Sequence, residues 1–393
     1  MKVRIKEQLY RVILLMLLGI IYSGWQLNAQ NHEHQGGDSE EIIHSEHQAA
    51  GEEHHSGMAE EEEDVTVVIM DHIKDSHEWH LWTTKDEHHV SVPLPVILYS
   101  KNSGLHVFMS SELAHGHTHK GFKYGPEKYE TVNKKGEPVI KDLSASIVEV
   151  DSEGHMLEEG LPLDLSITKN VFMMMLAVVI LLVVFLSLAR SYKKTGVSSP
   201  KGIQGFLEPL VVFVEEDIAI PNIGEHKYAK YMPYLLTVFF FILIHNLFGL
   251  IPFFPFGANV TGNIAVTMVL AVFTLLITNF SGNKTYWGHI FFPPGVPIWL
   301  LPIMIPVELL GIITKPFALM IRLFANITAG HIIVLSLVSL IFVFKNILMS
   351  VPSLVMVVFM DMIELLVAFL QAYIFTLLSA LFIGLAVPEH HHE

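Results

Sequence analysis

The chain has 393 residues, of which 51% are hydrophobic, only 16% are charged and none is cysteine. A disulfide-stapled secreted domain is excluded, and so much apolar surface with so few charges argues against an ordinary soluble enzyme and for a membrane protein. The formal charge of −15 is unevenly spread: residues 30–168 hold 28 Asp and Glu against 9 Lys and Arg, giving −19, while the rest nets 15 − 11 = +4, so a nucleic-acid partner is not expected.

The chain opens with Lys2, Arg4, Lys6 and Arg11, continues with the apolar stretch Val12–Tyr22 and reaches the small residue Ala29. This order is that of a secretory signal over residues 1–29, because the apolar run is short for the ~20 residues a bilayer crossing requires. A retained first membrane helix is the alternative. Removal of the signal would leave residues 30–168 outside the membrane.

Residues 30–64 are rich in His, Glu, Gln and Gly. They offer too little apolar surface to offset the entropy of ordering, so an acidic, disordered segment is expected. Residues 65–168 read as a small extracytoplasmic domain. Trp79–Trp82, Leu94–Tyr99, Leu105–Met109, Tyr129–Val132 and Val139–Ile140 have strand composition, with turn chemistry at Asn102–Gly104 and Asn133–Gly136. Sixteen of the 23 histidines fall in residues 32–155. That density suggests a metal-binding or sensor module on a membrane anchor, a second class of function. Its bland counterpart is a solvated acidic tail, since no His-Glu-x-x-His spacing occurs and no metal or other cofactor motif is present.

Membrane character begins at residue 169 and continues to 393. Val171–Ala189 is an uncharged run of nineteen residues, followed at once by Arg190, Lys193, Lys194 and Lys201. By the positive-inside bias this span runs from outside to inside. Ile203, Phe206, Leu207, Leu210, Val211 and Val214 then recur at helical spacing, and Glu215, Glu216 and Asp217 close the segment before Pro221. An amphipathic helix on the inner surface is expected. Tyr231–Phe254 and Ile264–Phe280 form a crossing pair around Gly257, Asn259 and Gly262.

The last apolar stretches, about Pro306–Phe344 and Pro352–Ala386, would be roughly 58 Å and 52 Å long as helices. Neither stands upright in a ~30 Å hydrocarbon core. They must be broken or steeply tilted, with Pro316 a place for a bend. The fold expected is therefore an all-α membrane protein. It has about five transmembrane helices, an inner-surface amphipathic helix and two long tilted antiparallel C-terminal helices. A small β-rich or partly disordered region stands outside.

Charged groups inside a membrane cost about 2.5–3.5 kcal/mol each on insertion scales, so those present line protein or water. The first long helix carries Glu308, Lys315, Arg322, Asn326 and His331, and the second carries Asp361, Glu364 and Gln371. Glu308, Lys315 and Arg322 are seven apart and Asn326 four further on, which gives one stripe. His331 lies nine past Arg322, on the opposite face and roughly 13.5 Å along. On an antiparallel partner, Gln371 level with Arg322 sets Glu364 level with His331. This predicts an Arg/Asn/Gln group at mid-depth, a His/Glu pair in the outer half, and Glu308 and Lys315 in the inner half with an exit near Asn326.

Arg322 keeps its proton, with an intrinsic pKa above about 12, so it blocks a direct leak and favours an ionised carboxylate beside it. His331 and Glu364 are proton-exchange candidates. His245, Asn246 and Asp361 are outer half-channel candidates. Plainer readings stay open: helix–helix hydrogen bonding for His245 and Asn246, snorkelling for Glu308 and Lys315, a cap for Asp361, a structural ion pair for Arg322.

The stretch Pro316-Phe317-Ala318-Leu319-Met320-Ile321-Arg322-Leu323-Phe324-Ala325-Asn326-Ile327-Thr328-Ala329-Gly330-His331 resembles the signature of subunit a of the F-type ATP synthase membrane sector. The resemblance covers about residues 165–388 and includes Gln371-Ala372-Tyr373-Ile374-Phe375. It implies a non-catalytic stator in the cell inner membrane, held against a rotating ring of c subunits. Its other partners would be the b subunits and the rest of the synthase, with protons as cargo. Arg322 matches the family's essential arginine, and Asn326 and Gln371 match its polar companions. Many bacterial members have Glu nine residues after the arginine and His seven before the glutamine. Here the two are exchanged, as in mitochondrial-type members. The family motif supplies no role for residues 30–168.

Overall fold

A computed structural model of the chain describes residues 74–388, apart from 84–88, 127–128, 133–137, 142, 145, 152, 158–160, 196–201, 252–253, 294 and 345–346. The expected signal, the acidic His-rich segment and the Asn133–Gly136 turn lie outside the described residues.

The first described part of the chain is strand-rich. Strands β1 (Glu78–Thr83) and β2 (His89–Pro93) pair antiparallel. A three-stranded antiparallel sheet follows from β3 (Pro95–Ser100), β4 (Gly104–Met109) and a late strand β9 (Leu163–Asp164), in the order β4-β3-β9. Gly104, at φ 84°, closes the β3–β4 turn in a conformation that disfavours other residues. β5 (Phe122–Tyr124) pairs with β8 (Ile147–Glu149), and β6 (Tyr129–Val132) with β7 (Pro138–Lys141). Alternation along β3 buries Val96 and Leu98 against Phe108, Leu113, Phe122 and Ile147, forming a small core. β2, β5, β8 and β9 were not expected from the sequence.

The strand region joins the membrane region without a linker. Leu165 and Ile167 extend the β9 ladder through N–H bonds to the carbonyls of Ile97 (2.8 Å) and Pro95 (3.0 Å), and helix α1 (Lys169–Thr195) then starts. Its first turn is capped from afar. The Asp75 carboxylate accepts from Asn170 N (3.1 Å) and from Thr168 Oγ1 (2.8 Å), a favourable place for negative charge at a helix N-terminus. Burial nonetheless pushes the Asp75 pKa above its ordinary value. Trp79 packs edge-on against Phe172 and Phe254, seating the strand region on α1 and on the loop after α4.

Helix α2 (Ile203–Phe213) continues through a π-helical turn, Val214–Ala219, into α3 (Ile220–Ile223). The helix thus passes through Glu215, Glu216 and Asp217 rather than ending there, because Val214, Ile218 and Ala219 are buried against the bundle. α4 (Tyr228–Gly249) and α5 (Ile264–Ser281) follow, then a short unexpected helix α6 (Lys284–Phe291).

The last two helices are α7 (Leu301–Phe344, 44 residues) and α8 (Ile347–Ala386, 40 residues). At 1.5 Å per residue they are about 66 Å and 60 Å long. Both are unbroken, α7 running on through Pro306 and Pro316. Of the two alternatives read from the sequence, broken or tilted, tilt is the one consistent with a bilayer core. Five helices are long and apolar enough to cross a membrane, making this a multi-pass membrane protein: 169–192, 228–249, 264–281, 298–341 and 350–386. A buried polar cluster ties three of them together, Tyr234 Oη lying 2.6 Å from Thr274 Oγ1, which lies 3.3 Å from Ser379 Oγ.

Candidate functional site

The polar side chains of α7 and α8 gather in two places separated along the helices. One lies toward the strand-rich end, where α7 passes α4 and α8. His331 Nδ1 stands 4.0 Å from Glu364 Oε2 across the α7–α8 contact. Asn246 of α4 faces the same cavity, together with Asn326 and Ala368. Its Nδ2 donates to the Ala368 carbonyl (3.1 Å), and its Oδ1 accepts from Thr261 Oγ1 (2.6 Å), so α4, α8 and the loop after α4 are locked around the pair. Two glycines give these side chains room. A Cβ at Gly330 would press on the Glu364 carboxyl group, and one at Gly249 would lie 3.7 Å from His331 Nε2. Glu364 Oε1 is buried with no hydrogen-bond partner among the described residues.

The second cavity lies at the opposite end, where the C-terminus of α8 is held. The Asn283 N–H bonds to the Ala386 carbonyl (3.0 Å), and Lys227 Nζ donates to the carbonyls of Val387 (3.1 Å) and Pro388 (3.0 Å). Lys315 and Pro316 of α7 line this cavity with Thr278, Asn279 and Tyr286. Lys315 Nζ sits 5.8 Å from the centre of the Phe382 ring. Burial, and then the nearby Glu308 carboxylate, push the Tyr286 hydroxyl above its ordinary range. Glu308 therefore belongs to this end of the molecule. Tyr286 could not be picked out beforehand, because it lies on a helix too short to show a period, and Thr278 and Asn279 fall inside an ordinary apolar run.

Arg322 lies between the two cavities along α7. It is exposed on the flank of the helix and has no hydrogen bond or ion pair among the described residues. Gln371 is buried on α8 and makes no hydrogen bond to Arg322. Three further candidates take these places. Asn326, expected at the inner exit, borders the same cavity as His331 and Glu364. It lies only five residues, about 7.5 Å, before His331, and the cavity is broad enough to reach its flank.

His245, offered as an outer half-channel residue, does not line that cavity. It is buried, and its Nδ1 donates to the Phe241 carbonyl of its own helix (2.7 Å) rather than across to another. Asp361 is exposed three residues before Glu364 and is likewise not part of the cavity wall.

Comparison with known proteins follows the same division of the chain. The family model described as ATP synthase A chain matches residues 171–384. A second model, a domain of unknown function, matches residues 68–165. ATP synthase subunit a 2 of Chlorobaculum tepidum is 52% identical over 233 residues, 58% of this chain and 64% of the relative. ATP synthase subunit a of Chloroherpeton thalassium is 48% identical over 235 residues, covering 58% and 69%. That of Anaeromyxobacter sp. is 47% identical over 262 residues, covering 63% and 62%. The match thus spans under two thirds of the length of the first and third of these relatives. With more than half of its residues matched, including both long helices and the cavities they border, the chain belongs to the ATP synthase A chain family, that of the bacterial F-type ATP synthase subunit a.

Proposed function

We propose that the chain is the stator of the Fo sector of an F-type ATP synthase in the cell inner membrane, with its strand-rich region outside and its C-terminus inside. It passes protons between two offset half-channels by way of a rotating ring of c subunits. In this reading the b subunits and the rest of the synthase are its partners, and the ATP chemistry belongs to other subunits. Protons reach the cavity at the strand-rich end, pass Asn246, His331 and Glu364, and neutralise a ring carboxylate, which can then face lipid. After nearly a full turn they leave through the opposite cavity, past Lys315 and Tyr286 with Glu308 at its border.

The observation that carries the proposal is the position of Arg322: an exposed cation on the flank of α7, with no ion pair among the described residues, between two cavities set apart along that helix. A permanent cation there attracts the ionised ring carboxylate as it passes and bars direct transfer of protons between cavities. Gln371, buried on the facing helix, is placed to steady that encounter. Each proton crossing yields about 2.3 kcal/mol per 100 mV, which becomes rotation only if that direct route stays shut. Arg322→Ala should therefore abolish proton-driven ATP synthesis in membrane vesicles while permitting passive leak. Coupled synthesis in Arg322→Ala vesicles would overturn the proposal.

A further inference from the structure

The β4-β3-β9 sheet is apolar on both faces. One face forms the core of the strand region through Val96, Leu98 and Phe108. On the other, Tyr99 stands between Leu105 and Leu163. One step nearer α1, Ile97 pairs with Val107 and receives the Leu165 N–H bond. Beyond that, Pro95 pairs with Met109 and receives Ile167 in the same way. None of these positions carries a charge, in a stretch of chain that nets −19 over residues 30–168. Nor do the described residues cover the face: Leu105 is 63% exposed, Val107 55% and Tyr99 50%. An antiparallel sheet normally keeps one side polar when that side meets water, and a contiguous apolar area of this kind marks a contact surface.

Its place in the fold points to what it meets. Ile167 is two residues before Lys169, where α1 begins, so the nearest row lies within about 7 Å of the start of a membrane-crossing helix. The polar layer on each side of a bilayer is itself about 5–7 Å deep. The apolar surface also continues into the membrane: Met175, Val179 and Val183, spaced four apart on α1, are exposed as a stripe. Beside the junction, Trp79, Phe172 and Phe254 cluster where aromatic side chains favour the membrane boundary. Tyr99, with an apolar ring and a polar tip, belongs to the same chemistry. We propose that the uncovered face of the β4-β3-β9 sheet rests on the outer surface of the lipid bilayer, the strand region leaning over the headgroups beside α1 rather than standing upright from it. Adjacent rows are about 7 Å apart. An upright sheet would leave the Leu105–Tyr99–Leu163 row in water, whereas a leaning one keeps all three rows against lipid.

The absence of native cysteine makes the test direct. Leu105→Cys, Val107→Cys and, as a control on an exposed loop away from the sheet, Glu153→Cys are each spin-labelled in the full chain. The labelled chain is then studied in its assembled complex, in nanodiscs of phosphatidylcholine and phosphatidylglycerol. Contact with lipid raises the ratio of oxygen to nickel-chelate accessibility severalfold at 105 and 107 over that at 153. Equal ratios at all three positions would place the face in water and overturn the proposal. Shielding of 105 and 107 from both reagents would overturn it in favour of a protein partner.

Discussion

Gly330→Ala separates the placement of Glu364 from the integrity of the bundle. A Cβ at position 330 would lie 3.0 Å from Glu364 Cδ and 3.2 Å from Cγ, with Oε1 nearer still. Carbon atoms pack comfortably at about 3.5–4.0 Å, so the carboxyl group must retreat by roughly 0.5 Å or more. Oε2 is then drawn from its position 4.0 Å from His331 Nδ1. The displaced group is the mobile end of a side chain, and alanine favours a helix interior over glycine by about 0.5–1 kcal/mol, so the fold should survive. Proton transfer requires the pair to close to hydrogen-bond range, and a hydrogen bond to a charged group contributes about 1.5–3 kcal/mol. Removing that from the rate-determining approach corresponds to a roughly 10- to 150-fold slower step. ATP-driven proton pumping in inside-out vesicles, measured beside the melting of the purified complex, should show slowed pumping with melting essentially unchanged. Wild-type pumping by Gly330→Ala would refute the claim that this glycine fixes the carboxylate.

Asn246→Leu removes both bonds of a buried lock, leaving the Thr261 hydroxyl without its acceptor, while the Ala368 carbonyl keeps its place in the helical ladder of α8. It should cost about 1–3 kcal/mol for the orphaned hydroxyl, read as a lower melting temperature of the purified complex. Gly384→Ala should be far worse than Gly330→Ala, because its Cβ would meet the Asn222 backbone carbonyl, which cannot swing away. The amount of subunit assembled in membranes should drop sharply. The junction of the strand region with α1 should respond to pH through His77, whose Nε2 is 2.7 Å from Asp164 Oδ2. Burial opposes charge on His77, but Asp164, with help from Asp75 and Glu78, raises its pKa above the ordinary value. Burial acts on Asp164 in the raising sense, and the bonds from His77 and Ser166 outweigh it to leave that pKa lowered. The His77 contribution is thus complete below the ordinary histidine pKa and lost as pH rises through its raised value. The Asp164 contribution is lost as pH falls through its lowered one. Hydrogen exchange in β1 and the first turn of α1 should be slowest between those limits, and His77→Gln should abolish the alkaline loss.

The long elements were legible because the bilayer imposes length. The uncharged run Val171–Ala189 and the two C-terminal stretches could hardly be anything but long helices. Short elements carry no such signal. β9 has two residues and exists through its pairing with Leu98 and Tyr99 of β3, and α6 has eight, among them Gly288. The helix through Glu215–Asp217 was misjudged because three adjacent acids resemble an ending, whereas a π turn carries them onward while Ile218 and Ala219 stay buried. At the site, a spacing of nine residues separates Arg322 from His331 around α7. It says nothing of how broad a cavity is, and so does not show that Asn326 borders the cavity of His331 and Glu364. No sequence rule would have shown that His245 satisfies its own helix instead of a neighbour.

The remote cap on α1 ties two events in the life of this molecule. Asp75 reaches Thr168 across a separation of 93 residues, and those residues fold into the strand region. Helix α1 cannot complete its first turn until that region has closed around it. A chain shortened past residue 75 would therefore still insert α1 but with frayed leading amides. Folding of the strand region and completion of the helix it caps are one cooperative act.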